Sequence, residues 1–174
     1  MMTWTRHSGV SMAVVFVVAL AVCGDAAAGR GAPPISAVAD ATPLSAVEVL
    51  ETGAVDREVA LAEDEARVAL GPGPLRFALP EDVKISASER GTWESLADGS
   101  RLWRLRVHSP GATDLNFGFS RYRLPPGATL HIISETDGGY QGPYTSDDNK
   151  DRGRLWTAMV AGESAVIELY VPSG

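Results

Sequence analysis

An all-β, antiparallel β-sandwich of jelly-roll-like type is the fold class that the sequence predicts, and three observations carry it. From Leu75 onward, apolar and polar residues alternate in short runs, as half-buried strands require. Those runs are separated by Gly, Pro, Asn and Asp at short, regular spacing, which is turn chemistry. After residue 75 there is no convincing helical periodicity. Six or seven short strands in this arrangement form two packed sheets more readily than any helical layer.

Taken in order, the first element is an export signal. Arg6 and His7 precede the apolar run Met12 to Val22, and Ala26 and Ala28 form an Ala-x-Ala cleavage site. The run is short of the roughly 20 residues that span a bilayer. Residues 1–28 therefore read as a signal peptide cleaved near Ala28, and the destination as secreted or periplasmic. Cys23 raises lipoprotein processing as the lesser alternative, since Val22 stands where a lipobox wants a small residue. Cleavage at Ala28 leaves an exported chain without cysteine, stabilised by its core alone. Residues 29–70 read as a partly disordered leader or linker of uncertain structure. Their first part is small, polar and proline-bearing, and residues 46–70 mix helical spacing with Gly53 and strand-favouring valines.

Residues 71–174 are the expected sandwich domain. Its best hairpin is "TWESLADGSRLWRLRVH", with Asp98-Gly99 as a type I′ turn pair. In the second strand Trp103, Leu105 and Val107 face a core, while Arg104, Arg106 and His108 face out. Leu115, Phe117 and Phe119 share one face of "DLNFGFSRY", and Leu130 and Ile132 follow a proline-glycine turn. A second hairpin is expected around Gly162-Glu163, with Ile167, Leu169 and Val171 aligned in its second strand.

Composition narrows the chemistry. The 174 residues suit one domain, and a net charge of −7 gives no electrostatic reason to bind nucleic acid or an anionic membrane. After cleavage two histidines remain, His108 and His131, and both read as surface residues on polar strand faces. No G-x-S-x-G elbow, zinc spacing or phosphate loop occurs, so no catalytic or cofactor-binding residue is assigned. Asp147, Asn149 and Asp151 alternate as calcium ligands would. Arg152 and Ala158, however, occupy the positions where an EF-hand needs Gly and Glu, so turn chemistry is the preferred reading. Arg104, Arg106, Arg121, Arg123, Arg152 and Arg154 read as a solvated sheet face. The alternative is a site for an acidic partner, such as the chain's own residues 48–65.

Four strings now stand in sequence: "RFALPEDVKIS", the long run Gly91 to Ile132, "GPYTSDDNKDRGRLWT" and "ESAVIELYVP". Together, over roughly Arg57 to Pro172, they resemble the N-terminal, non-catalytic region of secreted bacterial trypsin-like serine proteases of the lysyl endopeptidase type. The resemblance implies a β-rich pro-region that assists folding or keeps a protease domain latent in cis. The family's Ala-x-His-Cys and Gly-Asp-Ser-Gly-Gly strings are absent from these 174 residues, so no catalytic position carries over. The chain is thus expected to be a fragment or a stand-alone form of the pro-region. The competing reading is an extracellular module that binds carbohydrate or protein, with Tyr140 and Tyr144 as stacking surfaces.

Overall fold

The computed structural model describes residues 31–71 and 78–174. The expected signal peptide, its cleavage site and Cys23 lie outside the described residues.

Among the described residues the fold comprises ten strands and one α-helix. In chain order they are β1 (Val49–Glu51), α1 (Arg57–Ala69), β2 (Thr92–Ser95), β3 (Arg101–His108), β4 (Asp114–Leu115), β5 (Gly118–Phe119), β6 (Thr129–Ser134), β7 (Tyr140–Tyr144), β8 (Leu155–Trp156), β9 (Val160–Ala161) and β10 (Ser164–Val171). The all-β class holds. A single sheet runs β1-β3-β10-β6-β7, and β2 pairs beside β1 along the same edge of β3. β2 takes residues 101–104 of that edge and β1 takes residues 106–108. The β1–β3 pairing is parallel, while the other pairings are antiparallel. At the opposite edge β7 carries Pro143, which has no N–H to offer a further strand.

A second layer is a two-stranded ribbon. Asp114 and Leu115 pair with Ala161 and Val160, and Gly118 and Phe119 pair with Trp156 and Leu155. Between these pairs Thr157 N donates to the Phe117 carbonyl, and Phe117 N donates to Thr157 Oγ1. Period two turns Leu115, Phe117, Phe119, Leu155 and Val160 inward. There they meet Trp103, Leu105, Val107, Leu130, Ile132, Ala165 and Ile167 from the inner face of the sheet. The apolar alternation read from the sequence is what builds this core. The indole N–H in this core is satisfied, because Trp103 Nε1 donates to the Arg90 carbonyl at 2.7 Å. Gly91 makes that approach possible: it has φ +88°, and a Cβ there would sit 2.3 Å from Trp103 Nε1.

Two local expectations are corrected. The β2–β3 turn is not type I′, since Gly99 has φ +80° but no non-glycine residue has positive φ. Instead Leu96 N donates to the Ser100 carbonyl and Gly99 N to the Leu96 carbonyl, while Asp98 Oδ1 accepts from Ser100 N. This is the longer hairpin loop with one left-handed glycine. The Gly162-Glu163 turn does not close a hairpin either. β9 pairs in the ribbon and β10 pairs with β3 and β6, so this turn passes the chain from one layer to the other.

The largest correction concerns the leader. Residues 32–47 form a strap across the outer face of the sheet, with short 3-10 turns at Ile35–Ala37 and Leu44–Ala46. Pro34 and Val47 are buried, and Glu48 N donates to Thr92 Oγ1. β1 follows at once, so the boundary drawn at residue 71 cuts a paired strand off its sheet. α1 differs in character: Asp56 caps it by accepting from Val59 N, yet none of its residues is buried.

Candidate functional site

The strap changes what the outward strand positions are. Arg104 on β3, Glu168 on β10 and His131 on β6 are register partners, so they form one row across the centre of the sheet. Arg104 and His131 were expected to face solvent; instead Arg104, Glu168 and His131 are 2%, 0% and 1% exposed. The strap supplies polar groups to this row. Ser36 N donates to both Glu168 carboxylate oxygens at 3.3 Å, and the Thr42 carbonyl accepts from Arg104. Arg104 also pairs with Glu94, whose carboxylate accepts from Thr42 N and Oγ1. Desolvation alone would raise the Glu94 carboxyl; the Thr42 and Arg104 hydrogen bonds, with the Arg104 charge, hold it below its ordinary value.

His131 is therefore not a surface histidine. Its Nε2–H donates to the Ala32 carbonyl at 3.0 Å, while its buried Nδ1 has no hydrogen-bond partner. Burial is the leading influence and pulls the imidazole below its usual range, against the Ala32 contact and the nearby Glu168 charge.

His108 meets two groups that suggest catalysis. Its Nδ1 lies 2.7 Å from Ser164 Oγ, and its Nε2 lies 3.9 Å from Glu51 Oε2. Serine, histidine and acid are the components of a hydrolase triad. Here, however, they are neighbours on paired strands, since Ser164 and Glu51 are both register partners of His108. Glu51 is 65% exposed and beyond hydrogen-bond reach. Cross-strand pairing accounts for the contact, and Arg106 beside it is held by Glu135 in a two-pronged ion pair at 2.7 and 2.9 Å.

Two clefts stand out among the described residues. One, of about 260 Å³, lies between the strap and the β6–β7 edge, against Pro33, Pro34, Ile133 and Tyr140. Tyr140 is not an open stacking platform: its ring meets His131 edge-on at 5.9 Å, and its hydroxyl reaches the Gly31 carbonyl. Tyr144 is likewise engaged, accepting from Ala158 N at its hydroxyl.

The other cleft, of about 440 Å³, is lined by Arg121, Arg123, Arg152 and Asp151, and the acidic loop builds it. Thr145 and Asp148 form a capping box around a 3-10 turn at Ser146–Asp148. Asn149 then clasps the neighbouring segment: Oδ1 accepts from Leu124 N, and Nδ2 donates to the Leu124 carbonyl, both at 2.9 Å. Tyr122 N donates to the Gly153 carbonyl, and the Tyr122 hydroxyl donates to the Thr145 carbonyl. Burial foremost, with Asp148 and Tyr144 nearby, pushes the Tyr122 phenol up, so it stays a neutral donor. Asn149 is thus occupied in holding backbone, while Asp147 and Asp151 are exposed. Among the described residues no group of three His, Cys, Asp or Glu is placed to hold a metal ion.

The six arginines considered together in the sequence fall into two sets. Arg104 and Arg106 are committed to Glu94 and Glu135. Arg121, Arg123, Arg152 and Arg154 are exposed and have no carboxylate within 4.0 Å among the described residues. The first three line the cleft of about 440 Å³ together with Asp151, and Arg154 lies just ahead of β8, two residues before Trp156. Trp156 is 73% exposed, with its ring laid over Gly118, and Met159 is 64% exposed. The exposure of Trp156 was not legible in the sequence, where a strand tryptophan reads as core.

Fold and surfaces together define an all-β domain whose organised features are a strapped sheet and a basic, tryptophan-bearing face. The comparison of families is specific: the lysyl endopeptidase N-terminal domain matches residues 49–174. The chain belongs to that family. Membership implies a pro-region of a secreted protease, with a protease domain in the same parent chain. The match begins at β1, in agreement with the strand pairing. No solved structure matches this chain, and among the described residues no helix is long and apolar enough to cross a membrane.

Proposed function

We propose that this domain acts as the pro-region of a lysyl endopeptidase-type serine protease, docking on the protease domain in cis to assist its folding and hold it latent. The single observation that carries the reading is the family match across β1 to the end of β10. The geometry is compatible with it. A rigid two-layer core presents a preformed surface, so docking on an immature enzyme would cost little ordering of the pro-region itself. Export by a signal peptide, to a secreted or periplasmic destination, belongs to the same proposal.

A refolding experiment tests it. A denatured lysyl endopeptidase-type catalytic domain is diluted from denaturant with and without the full chain, and the yield of enzyme cleaving after lysine is followed after the chain is removed. A several-fold higher yield with the chain is expected. Equal yields at every ratio of chain to enzyme would refute the folding role.

A further inference from the structure

The four unpaired arginines and Trp156 are the least explained feature of the molecule. Elsewhere in the sheet and its margins arginine is put to use: Arg90 binds Glu48, Arg104 binds Glu94, Arg106 binds Glu135, and Arg101 lies 4.2 Å over the Trp93 ring. The chain as a whole is acidic, with net charge −7. Solubility therefore does not require four cations gathered at one end of a ribbon.

The fold does not need Trp156 where it stands either. Its neighbours Leu155 and Thr157 are buried, whereas Trp156 points outward. Gly118 opposite it leaves the ring a flat seat, since a Cβ there would come within 2.9 Å of the indole. The seat holds the indole in one place and so reduces the entropy it would lose on binding. An exposed aromatic anchor, an exposed methionine and exposed arginines match the composition that dominates binding energy at protein interfaces.

We infer that this outward face of the ribbon, with Trp156 as anchor, Arg154 two residues before it and Arg121, Arg123 and Arg152 at the cleft that follows the ribbon, is where the domain docks on its protease domain. The surface it fits is carboxylate-bearing and holds an apolar pocket that admits an indole. This rests on the pro-region reading and assigns the contact to one face among several. Guanidinium forks pair with carboxylates two bonds at a time, so the four arginines fix orientation as well as attraction. The strap face, whose charges are already paired, takes no part.

Titration calorimetry of the full chain against a lysyl endopeptidase-type catalytic domain tests the assignment. The variants are Trp156→Ala, Arg123→Glu and the double variant Arg121→Glu/Arg152→Glu, with Lys84→Glu, at an exposed residue outside the ribbon strands, as a control that matches the charge change of Arg123→Glu. Thermal unfolding of each variant verifies that the fold is retained; Arg123, fully outward, keeps the test valid if Trp156→Ala unfolds. Trp156→Ala is expected to weaken binding by about tenfold or more, and the double charge reversal by a similar factor. The Lys84→Glu control is expected to bind as the wild type does. Added salt weakens the wild type more than the double variant. Wild-type binding with all folded ribbon variants unchanged would overturn this face and leave the pro-region reading standing. No binding by the wild type would overturn both. Self-association through the same face, seen as a concentration-dependent dimer abolished by Trp156→Ala, would overturn the assignment in favour of a second copy.

Discussion

At His131 one ring nitrogen is satisfied by Ala32 and the other is buried without a partner. A proton added to Nδ1 finds no acceptor, so the folded state holds the imidazole neutral and its pKa lies below the ordinary 6.5. Unfolding releases that restriction. Stability is thus full above the ordinary histidine range and is lost as pH falls below it, because the unfolded chain takes up the proton more readily. Urea unfolding at about pH 7.5 and about pH 5 should show this loss, and His131→Gln should lessen it. Equal losses in both proteins would assign the effect to other groups. Arg104 gives a second expectation. Its removal leaves Glu94 without its cation under the strap, so Arg104→Ala should cost about 3–5 kcal/mol in chemical unfolding. Both residues teach the same point about legibility. Alternation placed Arg104 and His131 on the face opposite the core, and that is where they are. Alternation cannot say what covers a face, and a segment some 60 to 100 residues away in sequence covers this one.

Among the elements, the strap is what the sequence concealed. Small residues and prolines between Gly31 and Ser45 have low intrinsic order, and nothing in their pattern is periodic. They are held by backbone N–H groups donating to buried carboxylates, Ser36 to Glu168 and Thr42 to Glu94. Such contacts leave no trace in local composition, because the acceptors lie on other strands. Native-state hydrogen exchange distinguishes a strap from a loose leader. The amides of Ser36 and Thr42 should exchange far more slowly than unstructured peptide, and Glu168→Gln should speed Ser36 selectively. Exchange at the rate of free peptide would remove the strap from the fold. The ribbon was partly legible. Leu115, Phe117 and Phe119 were visible as one buried face, but their partner was not, since β4 and β5 pair with strands some 40 residues on. The expected β9–β10 hairpin failed for the same reason: a glycine turn marks a change of direction and is silent about a change of layer.

For the molecule as a whole, the core read from period-two alternation is the observed core, and the all-β class followed from it. The family was also legible, because it resides in long strings of sequence that do not depend on knowing the strand order. The distribution of charge was not. Six arginines that look alike in sequence divide into two buried or paired by the sheet and four left open by the ribbon. Only their places in three dimensions separate structural cations from available ones. The central claim, that the domain keeps a lysyl endopeptidase-type protease domain latent, is tested most directly by inhibition. The full chain is titrated into the active catalytic domain, and hydrolysis of a lysyl amide substrate is measured. A saturable fall in rate that reaches its limit near one chain per enzyme is the expected result. Undiminished hydrolysis at a large molar excess of intact chain would contradict it.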